Sequence, residues 1–394
     1  MAEGKGIREV GYFDCVGGGQ VFVEREVAYL GHVRSPNGTT TVDVSDPKNP
    51  RLIQTVEMPM GTHSHKVRVA NDIMVTNREV MPFKSGRSPD SFRGGAPSYE
   101  VDHDSVPPDF RGGLAIYDVS KPGRPKHITN WETGGSGMSG VHRFDFDGRY
   151  AYISPTVDGY LGNIVMILDL QDPAKPEEVG RWWMPGQWTA GGETPAWKGN
   201  AHRCHHPLRY GNRLYTSYWH GGVVILDIED MTRPKLVSHA DWSPPFTCPT
   251  HTALPVPFPI EGRTIMLVAD EDTQKIEPSP PSFIWIVDIS VETNPVPFAT
   301  FQLDCFDGSV QPNFTGCHQP CEKITGTEVP VAWFSKGLRV VDIAKPHSPK
   351  EVAYYMPDVP QGSERVQSND VTMDERGLIY LYDRLRGLHI LERV

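Results

Sequence analysis

A strand-and-turn segment that occurs six times constrains the fold of this 394-residue chain more than any other feature. In every copy two strand-forming residues lead into an Asp, and a Pro follows seven residues later. The Asp can accept hydrogen bonds from backbone N–H groups just beyond the strand, and the Pro fixes φ before the next strand begins. The pairs are Asp43 and Pro50, Asp118 and Pro125, Asp169 and Pro176, Asp227 and Pro234, Asp288 and Pro295, and Asp342 and Pro349.

The repeat predicts an all-β fold, a single seven-bladed β-propeller formed by residues 1–394. Successive Asp residues are about 50 to 75 positions apart, which suits a blade of four antiparallel strands with variable loops. The final segment GLHILERV, residues 387–394, repeats the strand half and supplies a seventh copy. Because this copy ends early, we expect the N-terminal segment GIREVGYFD, residues 6–14, to close the last blade as its outer strand.

Long polar insertions interrupt the repeats at residues 80–111, 184–200 and 273–282. They are too rich in Pro and polar residues to be core, and loops of this length in a compact domain usually carry function. We therefore expect them to lie over one face of the propeller. Residues 80–111 could also reach a neighbouring subunit, so a homo-oligomer is one expectation.

Composition excludes several classes of partner. The formal net charge is −11 and no basic run is present, which argues against binding of nucleic acid. No window approaches the roughly 18 apolar residues of a membrane span, and the N-terminus lacks the apolar region of a secretory signal. The sequence thus predicts a soluble, cytoplasmic protein that acts on a small molecule and binds neither membrane nor nucleic acid.

Five histidines stand just before the innermost strands of five successive repeats, each preceded by a small or uncharged residue. In a propeller such positions converge on the central axis at one face. Neutral imidazole is the commonest ligand of Zn, Cu, Fe and Ni, whereas Ca and Mg require oxygen donors, and we identified no repeated Asp or Glu at these positions. The predicted metal ligands are His63, His142, His202, His251 and His318.

A purely structural role for these histidines is the competing interpretation, since repeats copy structural residues as well. Such a role should appear in every blade. The seventh blade instead has Ser368 or Asn369 at the corresponding place, and the first has the segment CVGGGQ without an imidazole. Ligands from some blades and gaps in others are what a catalytic metal needs, because substrate must reach the ion.

The register of two ligands is ambiguous. The segment HSH could present either His63 or His65, because alternate residues of a strand share a face. The segment HRCHH could present His202, His205 or His206. The similarity of AHR to VHR favours His202, and His65 and His205 are then predicted as catalytic acid–base groups.

Other side chains are expected around the same funnel. Asp370 and Glu322 lie near the level of the histidines and could orient an imidazole, although each is more often a solvated turn residue. Apolar walls are expected from four aromatic residues: Trp188, Trp197, Trp219 and Phe83.

The strands FIWIVDIS and GGVVILDIED resemble those of the LVIVD repeat family, and the resemblance extends over essentially the whole chain. It implies a propeller but not an activity, because propellers include both scaffolds and enzymes. The stretch LYTSYWHGGVVILDIEDMTRPKL, residues 214–236, is similar to a blade of the selenium-binding, methanethiol-oxidase propellers, which hold copper through histidines. A multi-histidine centre on the axis also resembles the iron site of carotenoid-cleavage oxygenases.

Histidine ligands with open positions favour redox chemistry, since O₂ can occupy the vacant sites. The leading hypothesis is therefore an oxidase or oxygenase of a small organic substrate, with Fe or Cu favoured and Zn or Mn as alternatives. A metal-dependent hydrolase or lyase is the main rival, in which the metal activates water or polarises a carbonyl. A third hypothesis is a scaffold without catalysis, which predicts that no metal is bound.

Overall fold

The computed structural model describes residues 2–80, 111–134, 140–197, 202–243, 245–246, 248–271, 281–303 and 315–394. These residues form short β-strands that alternate with tight turns. In chain order the strands are β1 (Glu3–Lys5), β2 (Ile7–Asp14), β3 (Gly18–Glu24), β4 (Val27–His32), β5 (Asn37–Asp43), β6 (Arg51–Glu57), β7 (Thr62–His63), β8 (Val67–Ala70), β9 (Ile73–Val80), β10 (Gly113–Asp118), β11 (Lys126–Glu132), β12 (Val141–Phe146), β13 (Tyr150–Pro155), β14 (Val165–Asp169), β15 (Glu177–Trp182), β16 (Arg203–Tyr210), β17 (Arg213–Trp219), β18 (Gly222–Asp227), β19 (Lys235–Ala240), β20 (Thr250–Pro255), β21 (Ile265–Asp270), β22 (Ile284–Asp288), β23 (Val296–Phe301), β24 (Gln319–Pro320), β25 (Glu328–Ala332), β26 (Leu338–Asp342), β27 (Lys350–Met356), β28 (Ser368–Met373), β29 (Ile379–Asp383) and β30 (Gly387–Arg393).

The strands assemble into seven antiparallel sheets, which are the blades of a propeller, and this confirms the predicted fold class. Numbered along the chain, blade 1 contains β3 to β6, blade 2 β7 to β11, blade 3 β12 to β15 and blade 4 β16 to β19. Blade 5 contains β20 to β23, blade 6 β24 to β27, and blade 7 β28 to β30. The first strand of each blade is innermost, so seven chain segments face the axis.

The N-terminus joins the last two blades. Strand β2 pairs with β30 as the outer strand of blade 7, with Ile7 opposite Arg393 and Asp14 opposite Gly387. Strand β1 adds a fifth strand to blade 6 through β27. The chain ends are therefore held together by β-pairing at the closure of the ring.

The repeated Asp residues stabilise the turn after the third strand of six blades. Each carboxylate accepts a hydrogen bond from the backbone N–H two residues later, as the sequence pattern predicts. The donor–acceptor distances are 3.0 Å for Asp43, 2.8 Å for Asp118, 2.8 Å for Asp169, 2.8 Å for Asp227, 2.8 Å for Asp288 and 2.9 Å for Asp342. The turn is thus fixed locally in each of these six blades.

The core is divided among the interfaces of adjacent blades, where apolar residues of the middle strands pack against each other. One such cluster joins Val75 and Ile116 of blade 2 to Phe144 and Ile153 of blade 3. Among the described residues, no helix has the length and hydrophobicity that a membrane span requires.

The predicted insertions differ in what the structure describes of them. Residues 81–110 lie outside the described residues. Residues 184–197 form an irregular segment with one turn of 3-10 helix at Thr189–Gly191. In this segment Glu193 accepts hydrogen bonds from Trp183 and from the Gly186 backbone, so the loop folds on itself.

Candidate metal centre

A β-bulge in the innermost strands places side chains on the axis. The register shifts between Val141 and Phe144 in blade 3, between Cys204 and His206 in blade 4, and between Thr250 and Thr252 in blade 5. A bulge inserts an extra residue and re-aims its side chain, which is common beside active sites. The bulge positions and their equivalents, one per blade, are Gly19, His65, His142, His205, His251, His318 and Asn369.

The five histidines of blades 2 to 6 form a continuous arc. Their ring centroids are separated in turn by 5.0, 4.9, 4.4 and 4.3 Å. His63 lies beside this arc, stacked on His65 at 3.7 Å. We call His63 and these five residues the imidazole arc. Blade 1 contributes no imidazole because a Cβ on Gly19 would lie only 2.5 Å from the carbonyl oxygen of His65.

Most of the arc is held in one tautomer by hydrogen bonds at Nδ1. The acceptors are the carbonyl of Val33 for His63 (2.6 Å), Glu79 for His142 (2.8 Å), the carbonyl of His251 for His205 (2.7 Å) and the carbonyl of Asn369 for His318. The Nδ1 of His251 lies 2.8 Å from the hydroxyl of Thr252. Donation from Nδ1 leaves Nε2 with its lone pair, which is how metal-binding histidines are commonly oriented.

His65 differs from its neighbours. Its Nδ1 lies 3.3 Å from the side-chain nitrogen of Asn77. The amide orientation of Asn77 is fixed, because its oxygen accepts from the Lys66 N–H and its nitrogen donates to the carbonyl of Val141. Asn77 therefore donates to His65, and the neutral His65 ring carries its proton on Nε2.

Two glutamates stand within the arc, and the sequence reasoning missed both. Glu79 Oε2 lies 2.8 Å from His142 Nδ1 and 4.0 Å from His63 Nε2. Glu271 lies 3.4 Å from His318 Nε2 and 3.9 Å from His251 Nε2. The signal was available in the repeat: IMVTNRE and IMLVADE align without gaps, which brings Glu79 and Glu271 to equivalent positions of blades 2 and 5.

Burial favours the neutral form of His63, His65, His205, His251 and His318, whereas Glu79 and Glu271 favour the charged form. Desolvation lowers the pKa of His63 and of His318 to about 4, and it lowers those of His205 and His251 well below the ordinary value. Burial alone would raise the pKa of Glu79, but the nearby His142 and His63 outweigh it and the pKa falls. The site therefore offers neutral nitrogen and anionic oxygen ligands at neutral pH.

The donors fall into two groups. Within each group the ligand atoms all lie within 4.8 Å of one another. The first group comprises His63, His65 and Glu79, and the second comprises His205, His251 and Glu271. His142 connects them, because its Nε2 lies 3.1 Å from Nε2 of His205 while its Nδ1 contacts Glu79.

The contact between His142 and His205 tests whether a cation fits. Both rings use their Nδ1 proton elsewhere, so when both rings are neutral two Nε2 lone pairs face each other at 3.1 Å. Two nitrogens each about 2.1 Å from one ion, and about 90° apart, would be separated by about 3.0 Å. The geometry matches that of two adjacent ligands of a transition-metal ion.

His202 does not reach the arc. Its Nδ1 lies 3.0 Å from Met184 Sδ, and its ring stacks on Trp197 with centroids 4.6 Å apart. The physical reason is the bulge: strand β16 begins at Arg203 and the extra residue falls at position 205. In blade 4 the axial position therefore belongs to His205 rather than His202, and in blade 2 both His63 and His65 contribute.

Of three further residues predicted around the funnel, two carboxylates have other partners and one tryptophan lines the site. Asp370 accepts backbone N–H groups, and Glu322 binds Arg68 and Arg143 rather than orienting a ring of the arc. Trp219 stacks on His205 with centroids 5.2 Å apart and forms a wall of the site.

The other predicted walls lie elsewhere. Trp188 is 41% exposed and packs near Tyr160, and Trp197 covers His202. Phe83 lies outside the described residues.

Comparison with known proteins identifies the repeat. The model of the LVIVD repeat matches residues 210–241 and 329–357, which cover the middle and outer strands of blades 4 and 6. The chain contains LVIVD repeats. The match supports the resemblance for these two blades, and the histidines of the arc lie outside the matched residues.

Solved structures similar to this propeller share its fold at low sequence identity. The periplasmic gluconolactonase PpgL of Pseudomonas aeruginosa is 12% identical over 93% of this chain and 87% of that chain, with a TM-score of 0.58. The RRP9 WD40 repeats are 9% identical over 98% and 96%, and U3-55K is 9% identical over 98% and 98%, each with a TM-score of 0.59. No curated protein sequence matches the chain. These likenesses concern the propeller fold alone.

Proposed function

We propose that the imidazole arc binds a transition-metal ion and that the protein is a metal-dependent oxidase or oxygenase of a small organic substrate. The observation that carries the metal assignment is the pair of facing Nε2 lone pairs of His142 and His205, 3.1 Å apart. In a buried site such lone pairs repel unless a cation lies between them. A shared proton is the alternative, and burial, with His142 next, lowers the pKa of His205 and so disfavours a charge on that ring.

The donor set supports an ion that prefers nitrogen ligands. The group of His205, His251 and Glu271 combines two neutral imidazoles with one carboxylate, which is the set found in non-haem Fe(II) oxygenases. A hard ion such as Ca²⁺ or Mg²⁺ would take mainly oxygen ligands, and here nitrogen predominates. Fe and Cu remain the favoured metals, with Zn and Mn as alternatives. When bound, such an ion would supply redox chemistry with O₂.

Residues of the chain would divide the remaining tasks. His63, His142, His205, His251 and His318 present Nε2 lone pairs and would hold the ion. His65 has its proton on Nε2 and is the group placed to donate a proton to a substrate oxygen.

The proposed roles of two histidines differ from those that the sequence predicts. His205 is proposed as a ligand rather than as the acid–base group, and His202 has no role at the metal.

Access to the arc is from the side of His142. The side chain of His142 is 17% exposed, whereas those of His205 and His251 are almost completely buried. Trp219 lies 6.4 Å from His142 and 5.2 Å from His205, and the guanidinium of Arg203 covers its ring at 3.9 Å. An apolar part of a substrate would contact this aromatic wall.

A metal-dependent hydrolase is the second candidate, and the two glutamates favour it. Two histidines and one glutamate are also the ligands of catalytic zinc in several peptidases. A carboxylate beside the ion that is not a ligand can accept the proton of an attacking water. Glu79, in contact with His142, is the residue placed for this task.

Elemental analysis of the purified protein, expressed with Fe, Cu, Zn or Mn in turn, tests the proposal. We expect one or two ions of Fe or Cu per chain, and oxygen consumption on turnover. The variant His142→Ala should lose the metal, while the matched control His127→Ala, on an exposed strand, should keep it. Zinc or manganese without oxygen dependence would favour the hydrolase. A protein that retains no transition metal under any of these conditions would refute both.

A further inference from the structure

A second layer of axial side chains lies one residue beyond the imidazole arc. A bulge sets two successive residues against one on the partner strand. The residue that follows each axial position therefore also has an equivalent in every blade. These positions are Gln20, Lys66, Arg143, His206, Thr252, Gln319 and Asp370. The three basic members belong to the adjacent blades 2, 3 and 4.

The basic side chains of this layer are buried, and each has at least one nitrogen without a hydrogen-bond acceptor. Arg143 is partly satisfied, because its Nη2 donates to Gln319 Oε1 at 2.7 Å and to Glu322 Oε1 at 2.9 Å. Relative exposures are 3% for Lys66, 1% for Arg143 and 0% for His206. Neither ring nitrogen of His206 has a hydrogen-bond partner, and neither does Nε of Arg143. Lys66 bonds through its backbone, and its ammonium has no partner among the described residues. Buried polar groups without partners are rare and costly.

The acidic side chains nearby are already engaged. Glu322 accepts from Arg68, from Nη2 of Arg143 and from Gln319, and its Oε1 lies 3.8 Å from Nε2 of His206. Asp370 accepts from the backbone N–H groups of Val21 and Val371. The protein therefore supplies donors in this layer without enough free acceptors to match them.

The contact of Arg143 with the arc increases this mismatch. Its Nη1 lies 3.2 Å from Nε2 of His251, which accepts the hydrogen bond. An ion bound to His251 would use the same lone pair, so Arg143 would then need another acceptor. A ligand that supplies acceptors beside the ion would satisfy Arg143, Lys66 and His206 together.

We propose that Lys66, Arg143 and His206 form a binding site for a carboxylate, and that the substrate is a small monocarboxylate whose acid group lies in this layer. The inference rests on the proposed function, because it places the rest of the substrate at the metal. Two carboxylate oxygens provide about four lone-pair sites, which matches the unpartnered donors. A phosphate would bring a second negative charge close to Glu322 and Asp370, which disfavours it.

Calorimetric titration of the purified full-length protein with acetate, acetamide and inorganic phosphate tests the site. We expect acetate to bind, and its neutral analogue acetamide not to bind. Lys66→Met and His206→Leu should each weaken acetate binding by about tenfold or more. Neither side chain makes a hydrogen bond that the fold would lose, and Lys126→Met, on an exposed strand, is the control.

The outcomes separate this inference from the proposed function. Lys66-dependent acetate binding in a protein that never retains metal would support the carboxylate site and refute the metal proposal. Metal binding with acetate affinity unchanged in both variants would overturn the site alone. Tighter binding of phosphate than of acetate would overturn the assignment of the ligand as a carboxylate.

Discussion

Nε2 of His142 and Nε2 of His205 are 3.1 Å apart although the two residues are 63 positions apart in the sequence and belong to different blades. Glu79 and the carbonyl of His251 accept the Nδ1 protons of the two rings, so each Nε2 presents a lone pair to the other. The pseudo-symmetry of the propeller brings the residues together, and the bulges determine which side chains meet. The proposed cation between them would account for this geometry.

The first prediction separates two histidines that are three positions apart in the sequence. His205→Ala should reduce bound metal to a small fraction, whereas His202→Ala should leave it unchanged, because His202 contacts Met184 and Trp197 instead. Metal content by elemental analysis, with far-ultraviolet circular dichroism to verify the fold, measures both effects. Equal loss of metal in the two variants would contradict the assignment.

The glutamates provide a second prediction. Glu79→Gln and Glu271→Gln remove one anionic ligand each from the two donor groups, and each should lower metal affinity by at least about tenfold. Titration with a competing chelator measures this. If each group holds its own ion, either variant should retain about one ion per chain. Full metal content and unchanged affinity in both variants would show that the carboxylates are not ligands.

A third prediction concerns acid stability away from the arc. Burial lowers the pKa of His32 to about 4, below the ordinary value for an unfolded chain of about 6.5. The unfolded state therefore binds more protons between these values, so stability is complete above about pH 6.5 and is lost as the pH falls toward 4. His32 alone accounts for on the order of 3 kcal/mol of this loss.

The variant His32→Gln should make the free energy of unfolding less sensitive to pH in this window. Glutamine can keep a hydrogen bond to Thr40, which lies 2.8 Å from the His32 ring. Urea titrations at pH 7 and pH 5 measure the difference. An identical pH dependence in the variant and the parent protein would exclude His32 as a contributor.

The closure of the ring yields a fourth prediction. Strand β2 completes blade 7, and Glu9 contacts His389 at 2.6 Å, whereas β1 only adds an edge strand to blade 6. Removal of residues 2–14 should lower the Tm by roughly 10 °C or more, because it exposes the edge and apolar face of β30. Removal of residues 2–5 should have a small effect. Comparable Tm values for the two truncations would contradict the role of β2.

The sequence was sufficient for the architecture because the Asp turns recur at a fixed distance from Pro and leave a visible repeat. It also indicated the axial positions of His142, His251 and His318. The choice between His202 and His205 could not be made, because a β-bulge changes which face a residue occupies without a recognisable residue pattern.

Other features of the site can be found in the sequence only after strands of different blades are aligned. Glu79 and Glu271 become equivalent only when IMVTNRE is aligned with IMLVADE. The layer containing Lys66, Arg143 and His206 becomes visible only after the bulge is located, since it follows the axial histidine by one residue. The unmatched donors of that layer are a property of the folded structure.

The most direct test of the metal centre is anomalous diffraction from crystals of protein that was supplied with Fe or Cu during expression. We predict an anomalous peak inside the imidazole arc, about 2.0–2.2 Å from Nε2 of both His142 and His205. Crystals of such protein with no anomalous peak in the arc, and a hydrogen bond directly joining His142 to His205, would contradict the account.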